Sequence, residues 1–132
     1  MSASIDPEKK IKRMSKLVLL NVSWTIPDGK LEEFQAIARE MVERTQNEPG
    51  TLGYEWYVSA DGKRCQLIET YVDAEALLAH LAGPGPQEGV PKLMTMASVN
   101  GIQVYGEPGP KAREILAHFG PEIFSHTLGL NR

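Results

Sequence analysis

Residues 53–71 read GYEWYVSADGKRCQLIETY: two alternating runs rich in aromatic and β-branched residues, separated by Asp61-Gly62. Asp-Gly between such runs is the strongest short-range hairpin signal a sequence offers, and it constrains this chain more than any other feature. With Asp61 and Gly62 as the two loop residues, Ala60 pairs with Lys63, Val58 faces Cys65, Trp56 faces Leu67 and Tyr54 faces Glu69. Side chains alternate along a strand. One face of the hairpin therefore carries Tyr54, Trp56, Val58, Cys65, Leu67, Glu69 and Tyr71, and reads as the buried one. The other carries Glu55, Tyr57, Ser59, Arg64, Gln66, Ile68 and Thr70, an amphipathic set suited to a partly wet or subunit-facing surface.

The flanking sequence supplies partners for this hairpin. Residues 16–26, KLVLLNVSWTI, suit a pleated surface and read as a first strand. Pro27-Asp28-Gly29 ends it, with Asp28 the candidate N-cap of the next element. Over residues 30–47, Leu31, Phe34, Ile37, Ala38, Met41 and Val42 recur at helical spacing, opposite Glu32, Glu33, Arg39, Glu40 and Glu43. Asn47-Glu48-Pro49-Gly50 stops that helix. After the hairpin, Asp73 caps a second helix, AEALLAHLA. GPGPQEGVP breaks it, and a short helical piece, KLMTMA, resumes after Pro91. GIQVYGE reads as a fourth strand, residues 110–119 as a third helix and EIFSHTL as a last short strand. The order βαββαβ predicts an α+β fold, a ferredoxin-like split β-α-β sandwich, with an added C-terminal helix and short strand. In that plan the helices cover one sheet face, and Tyr57 and Ile68 on the other make self-association the expectation.

Composition bounds the function classes. The 132 residues fit one domain, and 42% hydrophobic with 23% charged residues places the chain among globular proteins. The expected division is a flexible basic N-terminal tail over residues 1–15 (PEKKIKRMSK holds its cations) and one domain over 16–132. Within it, 17–105 form the core and 106–132 an extension. The net charge of −3 gives the chain no general attraction to nucleic acid. The one cysteine, Cys65, cannot form an intramolecular disulfide. No apolar run approaches the roughly 18–20 residues of a membrane span, and LVLL is too short for a signal peptide. A soluble cytoplasmic protein is the expectation.

Few standard chemical motifs occur. No GxGxxG or P-loop is present, and no CxxC or HxxxH; His80, His118 and His126 lie far apart. Cys65 falls on the apolar face, where burial silences a thiol. Glu69 is the informative residue. Burying a carboxylate between Leu67 and Tyr71 is costly unless it is paired. Either it bonds to Tyr54, Tyr71 or a cation, or its pKa rises, which makes a usable acid or base. The aromatic residues Tyr54, Trp56 and Tyr71 form either core or the wall of a pocket for a flat molecule. His80, three residues beyond Leu77 on the second helix, is either a partly exposed helical residue or a pocket histidine.

The stretch EPGTLGYEWYVSADGKRCQLIETYVDAEALLAHLAGPG resembles the antibiotic biosynthesis monooxygenase family, whose members are dimeric α+β barrels. Glu48-Pro49-Gly50, Tyr54-Glu55, Tyr57, Glu69-Thr70-Tyr71, Asp73 and Ala79-His80-Leu81 carry the likeness, which spans residues 17–105. The resemblance implies a homodimer with sheets packed face to face, and a pocket between each sheet and its own helices. It implies oxygenation of an anthrone or quinol by O2 without metal or flavin. On that likeness Glu69 or His80 takes the substrate proton, Tyr71 and Tyr54 orient its oxygens, Trp56 or Trp24 packs on its ring, and Asn21 donates a hydrogen bond. The chain departs from anthrone-oxidising members by Tyr71 for Trp, Leu67 for Asn and Leu77 for Tyr. From haem-degrading members it departs by Tyr71 for Trp, and by lacking the histidine that follows the second helix. Lost polarity at Leu67 and Leu77 leaves room for a ligand-binding or isomerase-type member of the same superfamily. A non-catalytic dimeric module is the remaining alternative.

Overall fold

The computed structural model of the chain describes residues 16–130; the expected basic tail over residues 1–15 lies outside them. Five strands make one sheet: β1 (Val18–Thr25), β2 (Thr51–Val58), β3 (Arg64–Tyr71), β4 (Ser98–Tyr105) and β5 (Glu122–Phe124), in spatial order β2-β3-β1-β4-β5. β1, β3, β2 and β4 pair antiparallel, whereas β5 runs parallel to β4. Among the described residues, four helices accompany them: α1 (Leu31–Thr45), α2 (Ala74–Leu81), α3 (Pro84–Met94) and α4 (Pro110–Leu116), the last running into a 3-10 turn (Ala117–Phe119). Placing β1 between β3 and β4 is the ferredoxin-like arrangement, and the C-terminal helix and strand extend it at the β4 edge.

The hairpin register is the expected one: Tyr54 faces Glu69, Trp56 faces Leu67 and Val58 faces Cys65. The turn differs. Ser59 and Arg64 close the ladder, with Ser59 N–H donating to the Arg64 carbonyl at 2.9 Å, so the loop spans four residues. A two-residue type I′ turn needs positive φ at both loop positions, yet only Gly62 has it, at 74°. Asp61 instead accepts from Ser59 Oγ and Lys63 N–H. Pairing 59 with 64 keeps the same register as pairing 60 with 63, which is why the faces come out as expected.

Alternation along β1 buries Val18, Leu20, Val22 and Trp24 beneath the helices, and β3 contributes Cys65, Leu67, Glu69 and Tyr71 to the same layer. A bulge in β4 opposite Ser23/Trp24 brings Val99, not Asn100, across from Trp24. The extra residue turns Val99 inward with Ile102 and leaves polar Asn100 exposed, donating to Thr25 Oγ1. The opposite sheet face holds Leu19, Asn21, Ser23, Gln66, Ile68 and Thr70, all half-buried.

Two local expectations are corrected. Asp28 does not cap α1; Lys30 occupies that position without a side-chain cap bond. The GPGPQEGVP segment separates two helices as expected, α2 stopping at Leu81, but it is not itself a break and forms most of α3. Pro84 and Pro86 fall in its first turn, where backbone N–H groups have no intrahelical partner to lose. Gly85, Gly89 and Leu93 then form its buried stripe, and the glycines let α3 sit against Met41 and Thr45 of α1. Asp73 caps α2 as expected, accepting from Ala76 N–H at 2.8 Å.

Candidate functional site

The sheet and helices enclose a cavity of about 80 Å³. Its floor is the inward layer: Leu20, Val22 and Trp24 of β1, Tyr54 and Trp56 of β2, Leu67 and Glu69 of β3, Val99 and Ile102 of β4. Met41 of α1, His80 and Leu81 of α2, and Pro86 and Val90 of α3 supply one wall, and Leu116 and Phe119 of the C-terminal extension close another. A wider groove of about 600 Å³ lies on the opposite sheet face between Leu19, Thr70, Tyr105 and Leu130. Its one imidazole is the exposed His126, and the buried ionisable groups all lie on the other side of the sheet.

Those groups form a chain. The Tyr71 hydroxyl donates to Glu69 Oε1. The same oxygen lies 3.8 Å from Nε2 of His80. His80 Nδ1 in turn bonds Glu48 Oε1 at 2.7 Å, where Thr51 Oγ1 also donates at 2.9 Å. The Glu48 carboxylate accepts from Nδ1–H of His80, and the other ring nitrogen, Nε2, faces Glu69. The Asp73 cap sets where α2 starts, and two turns later His80 is aimed at β3. Rings fix it from both sides: Tyr54 at 4.9 Å and Tyr71 at 5.4 Å between centroids.

Glu69 has its pKa raised, first by burial; the nearby His80 and the Tyr71 hydrogen bond oppose the shift, and the Glu48 charge adds to it. Both alternatives open for a buried carboxylate are thus realised together: it is bonded and it is a weakened acid. Burial, helped by the Glu69 and Glu48 charges, keeps the Tyr54 phenol protonated, and Tyr71 is held protonated by burial and by Glu69. The Cys65 thiol is pushed up to about 11 by burial. A cavity with apolar walls and one carboxylate–imidazole pair can take a proton from a bound molecule and return it elsewhere, because a raised carboxylate pKa brings its basicity toward the working range.

Of the residues singled out in the sequence, Glu69, His80, Tyr54, Trp56, Trp24 and Leu67 line the cavity. His80 is fully buried, not a partly exposed helical residue, because Glu48 and the two tyrosine rings enclose it. Tyr71 is buried behind Glu69 with its hydroxyl committed to the carboxylate, so it acts on the site through Glu69. Leu77 is core and outside the cavity lining. Asn21 pairs with Ile68 and Gln103 and shares their face, turned away from the cavity by the alternation that buries Leu20 and Val22. Glu48 was legible only as part of the Glu-Pro-Gly segment; nothing local in the sequence ties it to His80. Phe119 and Leu116 carried only the signal of an apolar helix stripe. Among the described residues, no group of three His, Cys, Asp or Glu side chains is placed to hold a metal ion.

Comparison with known proteins places this geometry in a family context. The fold is similar to that of MupZ from Pseudomonas fluorescens, with 28% identity over 89% of this chain and 95% of that one and a TM-score of 0.78. That share exceeds what residues 1–105 supply, so the likeness takes in part of the C-terminal extension. A conserved protein of Methanosarcina mazei Go1 aligns at 18% identity over 74% of this chain and 98% of its own, TM-score 0.66. A variant of SnoaB from Streptomyces nogalater, a cofactor-independent oxygenase, aligns at 17% identity over 72% and 96%, TM-score 0.62. No curated protein matches the sequence. The antibiotic biosynthesis monooxygenase family matches residues 17–92, more than half of the sequence and every strand and helix from β1 to most of α3. The chain therefore belongs to the antibiotic biosynthesis monooxygenase family.

Proposed function

We propose that the protein is a cofactor-independent monooxygenase that oxidises a small electron-rich aromatic compound, such as a quinol, anthrone or polyphenol, with O2. The observation that carries this reading is the Glu69–His80 pair, Oε1 to Nε2 at 3.8 Å, at one end of an otherwise apolar cavity. Proton removal is the step such chemistry needs. A neutral phenol or activated methylene does not react directly with triplet oxygen, but its anion gives one electron to O2, and the radical pair recombines to a peroxide. Loss of water from the peroxide leaves one oxygen atom in the product and one in water. Glu69, or His80 through Nε2, takes the first proton and returns one to the departing oxygen. Tyr71 positions the carboxylate, Glu48 positions the imidazole, and Tyr54, Trp56 and Trp24 pack on the ring. SnoaB, a cofactor-independent oxygenase of similar fold, supports the absence of metal or flavin from the reaction.

A cavity of about 80 Å³ is smaller than the roughly 150 Å³ that admits benzene elsewhere. Substrate entry therefore requires one wall to move, and Leu116 and Phe119 of the C-terminal extension close the cavity on one side. A second copy covering the opposite sheet face completes the reading. Leu52, Tyr57, Tyr105 and Phe124 are exposed there, around half-buried Leu19 and Ile68. No helix among the described residues is long and apolar enough to cross a membrane, and a cytoplasmic setting is part of the proposal.

Product mass under 18O2 tests the proposal: one labelled oxygen atom in the product supports it. The aliphatic Leu67 in the cavity floor favours a second reading, acid–base isomerisation or binding without oxygen, in which the product mass does not change.

A further inference from the structure

Four buried side-chain polar atoms among the described residues have no hydrogen-bond partner: Asn21 Oδ1, Glu48 Oε2, Trp24 Nε1 and Trp56 Nε1. The two acceptors lie apart, Asn21 on the opposite sheet face and Glu48 beside Gly83. The two donors are the indoles of the only two tryptophans in the chain, and both line the cavity. A buried N–H without an acceptor is costly and uncommon in native proteins. Two in one cavity wall indicate what that cavity is built to receive.

The sheet register sets their positions. Glu69 lies on the cross-strand row of Tyr54 and Leu20, Trp56 on the next row with Leu67 and Val22, and Trp24 on the row after that with Cys65 and Val99. Successive rows on one face are about 7 Å apart. Phe34 stands edge-on to both indoles, with centroids 5.9 and 6.0 Å away, and holds their planes. The carboxylate–imidazole pair thus lies toward one end of the cavity, and the two tryptophan side chains line it on the following rows. No lysine or arginine lines it, and Glu69 is buried in its wall, so a carboxylate or phosphate group has nothing there to balance its charge.

We propose that the indole N–H groups of Trp24 and Trp56 determine specificity by donating hydrogen bonds to a neutral carbonyl-type oxygen of a small, mostly apolar ligand. This rests on reading the cavity as the substrate site, and not on the oxygen chemistry. A ketone or quinone-type oxygen satisfies the donors, while a hydrocarbon of the same shape leaves them unpaired, the asymmetry that gives polar sites their discrimination.

The test is titration of 15N-labelled full-length protein with cyclohexanone and with methylenecyclohexane, matched in shape and differing in the acceptor. The two indole N–H signals are observed by NMR and assigned with Trp24→Phe and Trp56→Phe. The ketone is expected to move the indole proton signals downfield and to bind about tenfold more tightly than the hydrocarbon, with each substitution narrowing that preference. Equal binding of the two probes to the wild-type protein, or a preference that survives both substitutions, would overturn the donor assignment and leave the cavity reading standing. Binding of neither probe would overturn the substrate-site reading and the donor assignment with it. The wild-type comparison decides the matter even where a variant folds poorly.

Discussion

Nε2 of His80 lies 3.8 Å from Oε1 of Glu69, beyond hydrogen-bond range and close enough for a small proton-bearing group to bridge them. Each partner is tethered on its far side, His80 by Glu48 and Glu69 by Tyr71. The pair is therefore fixed from behind and free toward the cavity.

Glu69→Gln is expected to lower turnover by about two to four orders of magnitude, the usual range for losing a general base, while the amide oxygen still accepts from Tyr71. Steady-state kinetics on the purified variant measures it. Unimpaired turnover would remove Glu69 from the mechanism.

The same residue sets a pH dependence with a definite sign. Burial raises its folded-state pKa above the ordinary value of 4.5, so the folded protein holds this proton more tightly than the unfolded chain. Its contribution to stability is fully present below the ordinary pKa and is lost as pH rises through the folded one. Turnover that needs the carboxylate rises over the same window. Urea melts of the wild type and Glu69→Gln across pH are expected to show the variant gaining relative stability as pH rises, then levelling off.

Glu48→Ala leaves the buried Nδ1–H of His80 without its acceptor and is expected to cost about 1–3 kcal/mol in urea unfolding. Glu48→Gln keeps an acceptor oxygen, so it retains most of that stability and lowers turnover. If Ala and Gln are equally destabilising, Glu48 does not act by orienting His80.

Leu116→Ala tests the wall contributed by the extension. Leu116 is buried against the cavity, and truncating a buried leucine costs about 2–5 kcal/mol. The enlarged cavity is expected to take up benzene more tightly than the wild type does, detected as a larger rise in melting temperature.

Much of this arrangement was readable because it follows local rules. The 59–64 closure kept the hairpin register, so the face joining Tyr54, Trp56, Leu67 and Glu69 followed from alternation alone. Asp73 announced α2, and helical spacing announced α1. What stayed hidden was set at long range. Glu48 meets His80 across 32 residues of sequence, and no periodicity encodes that contact. Asn21 looked like a site residue until the register of β1 against β3 put it on the opposite face. α3 was obscured because its prolines resemble breakers, although Pro84 and Pro86 occupy a first turn that tolerates them. The glycines of that segment have a packing role: a Cβ at Gly89 would fall within contact distance of Met41 Cγ and Sδ. Gly89→Ala is accordingly expected to cost about 1–3 kcal/mol in thermal or urea unfolding.

Oxygen uptake by chelator-treated protein, measured with a panel of hydroquinones and anthrones against Glu69→Gln and a heat-denatured control, tests the central claim most directly. Saturable uptake by the wild type, rising with pH through the Glu69 titration and lost in the variant, is the expected result. No uptake across the panel, or uptake that Glu69→Gln leaves undiminished, would contradict it.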